Sequence, residues 1–173
     1  MPMQKVLIVD DSPDIHELID ACLSEQPIEI YSLVQSSGCV AEVAKLMPDL
    51  ILLDVEMPGS DGFEICRALK ANPETAPIPV VFLTGASSSA QKLQGLALGA
   101  VDYITKPFGA PELCARVKSA LHTKRLLDRL QKINAELLDA REAAEENARH
   151  LDMVLEIGGL GSWDWDEWHF PKL

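Results

Sequence analysis

No run of about 18 apolar residues occurs in the sequence, so no segment is suited to cross a membrane as a helix. The N-terminus, MPMQKVLIVDD, lacks a secretory apolar region followed by a small-residue cleavage site, and a cytoplasmic location is expected. Cationic side chains are scarce: 15 Lys and Arg stand against 27 Asp and Glu, a formal net charge of −12. The acidic excess holds in residues 1–122 and again in residues 123–173. It argues against direct nucleic-acid binding, which needs a basic face to release counterions. Cysteine pairing is lacking as well. Cys22, Cys39, Cys66 and Cys114 are far apart and form no CxxC, which speaks against metal or disulfide use and for reduced, packed thiols.

What is present is enough apolar material for a real core: 47% of the 173 residues. Short runs rich in Val, Ile and Leu, at Lys5–Val9, Leu50–Leu53, Val80–Leu83 and Val101–Ile104, have the character of buried parallel strands. Ile28–Leu33 is more mixed and suits an edge strand. Amphipathic stretches near residues 14–24, 38–47, 61–71 and 88–98 lie between them. Ser12, with a hydroxyl able to cap, precedes Pro13, a good first-turn residue. Five strands alternating with helices make an α/β domain with right-handed crossovers, in which chemistry gathers beyond the C-terminal strand ends.

Several chemically distinctive residues fall at those ends. Asp10 and Asp11 end the first strand and Asp54 ends the third. Three carboxylates held together repel one another unless a cation sits among them, and a hard divalent ion such as Mg²⁺ meets that need. Asp10 and Asp11 could instead merely cap the following helix. Thr84 directly follows the fourth strand and Lys106 lies just past the fifth. A hydroxyl and an ammonium facing a carboxylate–metal cluster form a prepared site for a phosphoryl group, with an aspartate as nucleophile.

The blocks VLIVDDS, LILLDVEMPGSDG, VVFLTGA and GAVDYITKPF, in that order, resemble the signature blocks of response-regulator receiver domains over roughly residues 3–122. The resemblance implies a doubly wound, flavodoxin-like parallel sheet of order 2-1-3-4-5 with five helices. It implies phosphorylation by a partner histidine kinase or phosphotransfer protein. Asp10 and Asp11 would bind Mg²⁺, Asp54 would be phosphoacceptor and ligand, and the main-chain carbonyl of Glu56 would complete the metal shell. Thr84 and Lys106 would hold phosphoryl oxygens, Tyr103 would be an aromatic rotamer switch, and Lys106–Pro107 would be cis. For Tyr103, half-buried packing is the plain alternative. His16, His122, His150 and His169 lie in no phosphodonor motif, and surface or packing roles are expected. Glu56 follows Asp54 by two, as the second acid does in haloacid-dehalogenase-like phosphatases. DVEMPG lacks the rest of their DxDGT motif, so a signalling switch that assists only its own phosphorylation and dephosphorylation is expected rather than an enzyme.

Beyond the receiver-like part no strong helix breaker appears between Glu112 and Ile157. Leu126, Leu130, Ile133, Leu137, Ala140, Ala144, Asn147, Leu151 and Val154 are spaced alternately by four and three, a heptad seam. The expectation is a receiver over 1–122, a signalling coiled coil over 123–157 that dimerises through 126–154, and a Trp-rich tail over 158–173. A lone helix folded back on the receiver is the alternative. The tail LEIGGLGSWDWDEW weakly resembles the opening of a PAS-type sensor domain, which suggests a truncated chain and an absent output module. A stand-alone phosphorelay receiver is the other possibility.

Overall fold

The computed structural model describes residues 3–85 and 89–157. The chain divides after Leu127 into two units. In the first, strands β1 (Gln4–Val9), β2 (Ile28–Leu33), β3 (Leu50–Asp54), β6 (Val80–Thr84) and β7 (Asp102–Thr105) form one sheet of order β2-β1-β3-β6-β7. Every adjacent pair is parallel. Counting these five strands alone, the order is the expected 2-1-3-4-5. Between β3 and the next helix lies an antiparallel ribbon of two-residue strands, β4 (Glu56–Met57) and β5 (Ser60–Asp61), for which the sequence reading has no element. Its turn places Gly59 at φ +74°, a conformation glycine adopts without steric cost.

The strand sequences explain the layering. Residues of each strand alternate between faces, and both faces are covered. Leu7, Val9, Ile51, Leu53, Val80 and Phe82 pack on one side with Val43 of α2 (Cys39–Leu46) and Cys66 and Leu69 of α3 (Gly62–Ala71). Val6, Ile8, Leu50, Leu52, Val81, Leu83 and Ile104 pack on the other with Ile19 and Leu23 of α1 (Pro13–Leu23). Leu113, Val117 and Leu121 of α5 (Ala110–Ile157) join that second layer. The central strands β3 and β6 are buried along their whole length, whereas β2 is half-buried, as its mixed composition suits. Helix α4 (Ser89–Ala97) completes the set.

One local expectation fails. Ser12 stands at the N-cap of α1 and Pro13 follows within the first turn, but the Ser12 hydroxyl makes no cap hydrogen bond. Instead the Ser12 backbone N–H donates to Asp10 Oδ1 at 2.9 Å. The Ile15 N–H, from which a cap hydroxyl would accept, donates to the Ser12 carbonyl at 3.2 Å. In α3 a side-chain cap does form: Asp61 accepts from the Phe63 N–H at 2.8 Å.

The second unit starts at Asp128, and its described part is the run of α5 to Ile157. The uninterrupted helix expected from Glu112 to Ile157 is present. The seam residues Leu130 and Leu137 are 58% and 66% exposed, and Leu126, Ile133, Leu151 and Val154 are about half exposed or more. The Trp-rich tail, with its PAS-like resemblance and His169, lies outside the described residues.

Candidate functional site

Parallel register fixes where the functional residues meet. Val9 pairs with Leu53, Asp54 with Leu83 and Thr84 with Thr105, so the C-terminal ends of β1, β3, β6 and β7 come out at one edge. Asp10 and Asp11 follow β1, Asp54 and Thr84 close β3 and β6, and Lys106 follows β7. Oxygens of Asp10, Asp11 and Asp54 lie within 4.8 Å of one another. Asp10, Asp54 and Thr84 are buried and Asp11 is exposed. Two like charges at that separation repel by on the order of 3 kcal/mol at an effective dielectric near 20, so the buried Asp10–Asp54 pair needs compensation. Lys106 supplies part of it, with Nζ 2.7 Å from Asp10 Oδ2 and 2.9 Å from Asp54 Oδ2. The Glu56 backbone N–H adds a bond to Asp54 Oδ1 at 3.1 Å.

Lys106 bridges two of the three carboxylates, so one ammonium faces three acidic groups and excess negative charge remains. Burial pushes the Asp54 carboxyl above its ordinary value, and the hydrogen bonds from Lys106 and the Glu56 N–H offset this only in part. For Lys106 burial works against the charge, yet hydrogen bonds to Asp10 and Asp54 outweigh it and the ammonium is held more firmly than usual. All-oxygen donors with uncompensated charge suit a hard divalent cation better than a soft metal.

The other expected residues are placed as follows. Thr84 shares the sheet edge, and its carbonyl accepts from the Lys106 N–H at 2.7 Å. Lys106–Pro107 is cis. Glu56 bonds Asp54 through its backbone, while its exposed carboxylate is not among the grouped oxygens. Tyr103 is half-buried against the Phe82 side of the core. It shares with Thr84 a cavity of about 10 Å³, lined also by Val55, Phe63 and Phe82. The Arg116 guanidinium, bonded to Asp102 at 2.6 Å, lies 5.9 Å from the Tyr103 ring centre.

His16 is a residue whose part the sequence reading missed. Burial fits the packing role, but Nε2 lies 2.7 Å from the Asp10 carbonyl and Nδ1 lies 3.0 Å from Ser32 Oγ. A carbonyl only accepts, so Nε2 carries the proton and pins the backbone of a site aspartate. The available signal was spacing: His16, Ile19 and Leu23 form the buried stripe of α1. His122 and His150 are exposed.

The sequence matches the family model for the response regulator receiver domain over residues 6–118. The chain belongs to this family. This receiver is 40% identical over 131 residues to response regulator PleD of Caulobacter vibrioides, covering 76% of this chain and 29% of that protein. It is 35% identical over 119 residues to the phosphate regulon transcriptional regulatory protein PhoB of Rhizobium meliloti, covering 69% of this chain and 52% of PhoB. It thus spans about half or less of these curated relatives. A crystal structure of a putative response regulator from Chloroflexus aurantiacus superposes with a TM-score of 0.65 at 32% identity, covering 69% of this chain and 98% of that one. The Vibrio cholerae chemotaxis protein CheY4 gives a TM-score of 0.64 at 30% identity, covering 68% and 98%. These likenesses place the receiver in two-component response regulation, and receivers bind Mg²⁺ at an acidic pocket such as the one formed here by Asp10, Asp11 and Asp54.

Proposed function

We propose that this receiver is a Mg²⁺-dependent aspartyl-phosphate switch in which Asp54 takes a phosphoryl group from a histidine kinase or phosphotransfer protein. The observation that carries the reading is Lys106 Nζ bridging Asp10 and Asp54 with Asp11 alongside. The Asp10, Asp11 and Asp54 carboxylates and the Glu56 main-chain carbonyl would hold the ion. Mg²⁺, when bound, neutralises the carboxylates and draws charge from the phosphoryl oxygens. An Asp54 oxygen then forms the new P–O bond as the donor's P–N bond breaks, and the donor imidazole leaves with a proton from solvent. Lys106 and Thr84 stabilise the phosphoryl oxygens, and Tyr103 answers the movement of Thr84 across their shared cavity. The protein acts as a switch and assists only its own phosphorylation and dephosphorylation.

Titration calorimetry tests the ligand set. Removing a residue that merely supports a metal ligand typically weakens metal binding by about 10–100-fold, so loss of a ligand in Asp11→Ala should cost at least about tenfold in Mg²⁺ affinity. The metal-free variant should remain folded, since repulsion in the cluster is relieved. Unchanged affinity would remove Asp11 from the ligand set.

The output side of the proposal rests on the exposed seam of α5. A lone helix with a leucine stripe in water gains little from its own propensity and needs a partner surface. In the proposed parallel dimer Leu130, Leu137, Ala144 and Leu151 take a positions, and Leu126, Ile133, Ala140, Asn147 and Val154 take d. Glu136 at g would reach Arg141 at e of the other strand, whereas within one chain Arg141 pairs with Glu145 at 2.7 Å. The greater length of the relatives supports an output module driven through this helix. In sedimentation the full chain should be dimeric, with self-association altered by phosphodonor. A carboxylate in each strand of Leu137→Glu costs on the order of 3 kcal/mol, roughly a hundredfold in dissociation constant. A full chain that stays monomeric at high concentration in both states would sink the dimer while sparing the receiver.

A further inference from the structure

The four thiols fall into two kinds. Cys39 and Cys66 are sealed in the core at 1% and 0% exposure. Cys22 and Cys114 are half-buried on the rim of the opposite core layer, one on α1 and the other on α5. They meet there. Cys114 Sγ donates to the Cys22 carbonyl at 3.0 Å. Burial raises the Cys22 pKa above its ordinary value, and the nearby Cys114 thiol adds to the shift.

We propose that Cys22 and Cys114 are a redox pair that closes into an intramolecular disulfide between α1 and α5. The helices that carry them are held in place by the shared layer of Ile19, Leu23, Leu113 and Val117, so the thiols are brought together before any oxidant arrives. A disulfide requires the sulfurs to close to about 2.05 Å with Cα atoms about 4.4–6.8 Å apart. Closing the pair requires the Cys114 thiol to exchange its contact with the Cys22 carbonyl for the Cys22 sulfur. A metal site is the competing use of two thiols, but among the described residues no His, Cys, Asp or Glu joins them in a ligand group. The bridge would join positions 92 residues apart, a long loop whose closure restricts the unfolded chain strongly. The inference is independent of the role of Asp54.

The oxidant required is a low-molecular-weight disulfide. One cysteine thiolate attacks it and releases one thiol, forming a mixed disulfide. The second cysteine thiolate then attacks the protein sulfur of that adduct and expels the second thiol. Two electrons pass from the cysteine pair to the oxidant, and both thiol protons end on the two released thiols.

The test uses the full chain and oxidised glutathione. The expected product by denaturing mass analysis is a single chain with no interchain disulfide, lighter by two hydrogens, whose non-reducing peptide map joins the Cys22 and Cys114 peptides. Its unfolding midpoint should shift to higher denaturant and return on addition of dithiothreitol. Cys22→Ser and Cys114→Ser should each lose the bridge and retain a glutathione adduct on the remaining rim thiol. Stable glutathione adducts on the unsubstituted chain without a bridge would overturn the proposal. So would covalent dimers as the main product, or a bridge that includes Cys39 or Cys66.

Discussion

Incubated with Mg²⁺ and acetyl phosphate, the full chain is expected to gain one phosphoryl group that hydroxylamine removes, and Asp54→Asn is expected to gain none. An amide oxygen cannot form an acyl phosphate, so the expected loss is complete. Loss of labelling must also be distinguished from loss of fold, and the protonation of Asp54 supplies the distinction. Because burial holds its carboxyl above the ordinary value, the ionised form is less at home in the folded protein than in the unfolded chain. A carboxyl shifted upward contributes stability below its unfolded value, and that contribution is lost as pH rises through the folded value. Near neutral pH the ionised Asp54 is therefore a net cost to the metal-free fold. Asn at this position removes the cost and keeps an oxygen for the Glu56 N–H, so the variant should unfold at no lower denaturant concentration than the parent. Intact mass and a denaturation curve on the same sample decide the matter. Undiminished labelling of a folded Asp54→Asn protein would move the phosphoacceptor elsewhere.

The sheet and its catalytic-looking edge were legible because both follow from local pattern plus topology. Runs such as LILLD carry strand propensity and whole-strand burial together, and parallel order brings their ends to one edge whatever the loops do. Asp10, Asp11, Asp54 and Lys106 could thus be brought together from sequence. What stayed hidden depends on contacts between segments distant in the chain. The spacing of His16 with Ile19 and Leu23 signals burial but not that its ring reaches the Asp10 carbonyl on one side and Ser32 on the other. Local pattern favours a Ser12 hydroxyl cap, yet the Ile15 N–H turns to the Ser12 carbonyl and the Ser12 N–H to Asp10. Cys22 and Cys114 gave no spacing signal because their neighbourhood comes from two helices packing on one face of the sheet. The β4–β5 ribbon has strands of two residues, too short for any periodicity to register.

Replacing Gly62 with Ala should destabilise the receiver by about 2–3 kcal/mol, the upper part of the usual range for overpacking. Gly62 opens α3 directly beneath the end of β3, and its N–H donates to the Val55 carbonyl at 3.0 Å. A Cβ there would collide with the Asp54 carbonyl oxygen and lie 2.9 Å from Val55 Cα and 3.0 Å from the Asp54 carbonyl carbon. All three atoms are backbone, so no side chain can swing aside, and the strand end must move away from the helix. The segment that moves carries Asp54, so acetyl phosphate labelling should slow along with the loss of stability. Gly59 provides the control. It adopts φ +74° but a Cβ there meets nothing within 4 Å, so Gly59→Ala should cost only backbone strain, about 1 kcal/mol. For a chain of this size the Gly62 variant should melt roughly 5–10 °C lower, and the Gly59 variant only a few degrees lower. Denaturant curves rank the two directly. A Gly62→Ala protein as stable as the parent, or less affected than Gly59→Ala, would mean that the contact between α3 and the Asp54 backbone is not the constraint that holds this edge of the sheet.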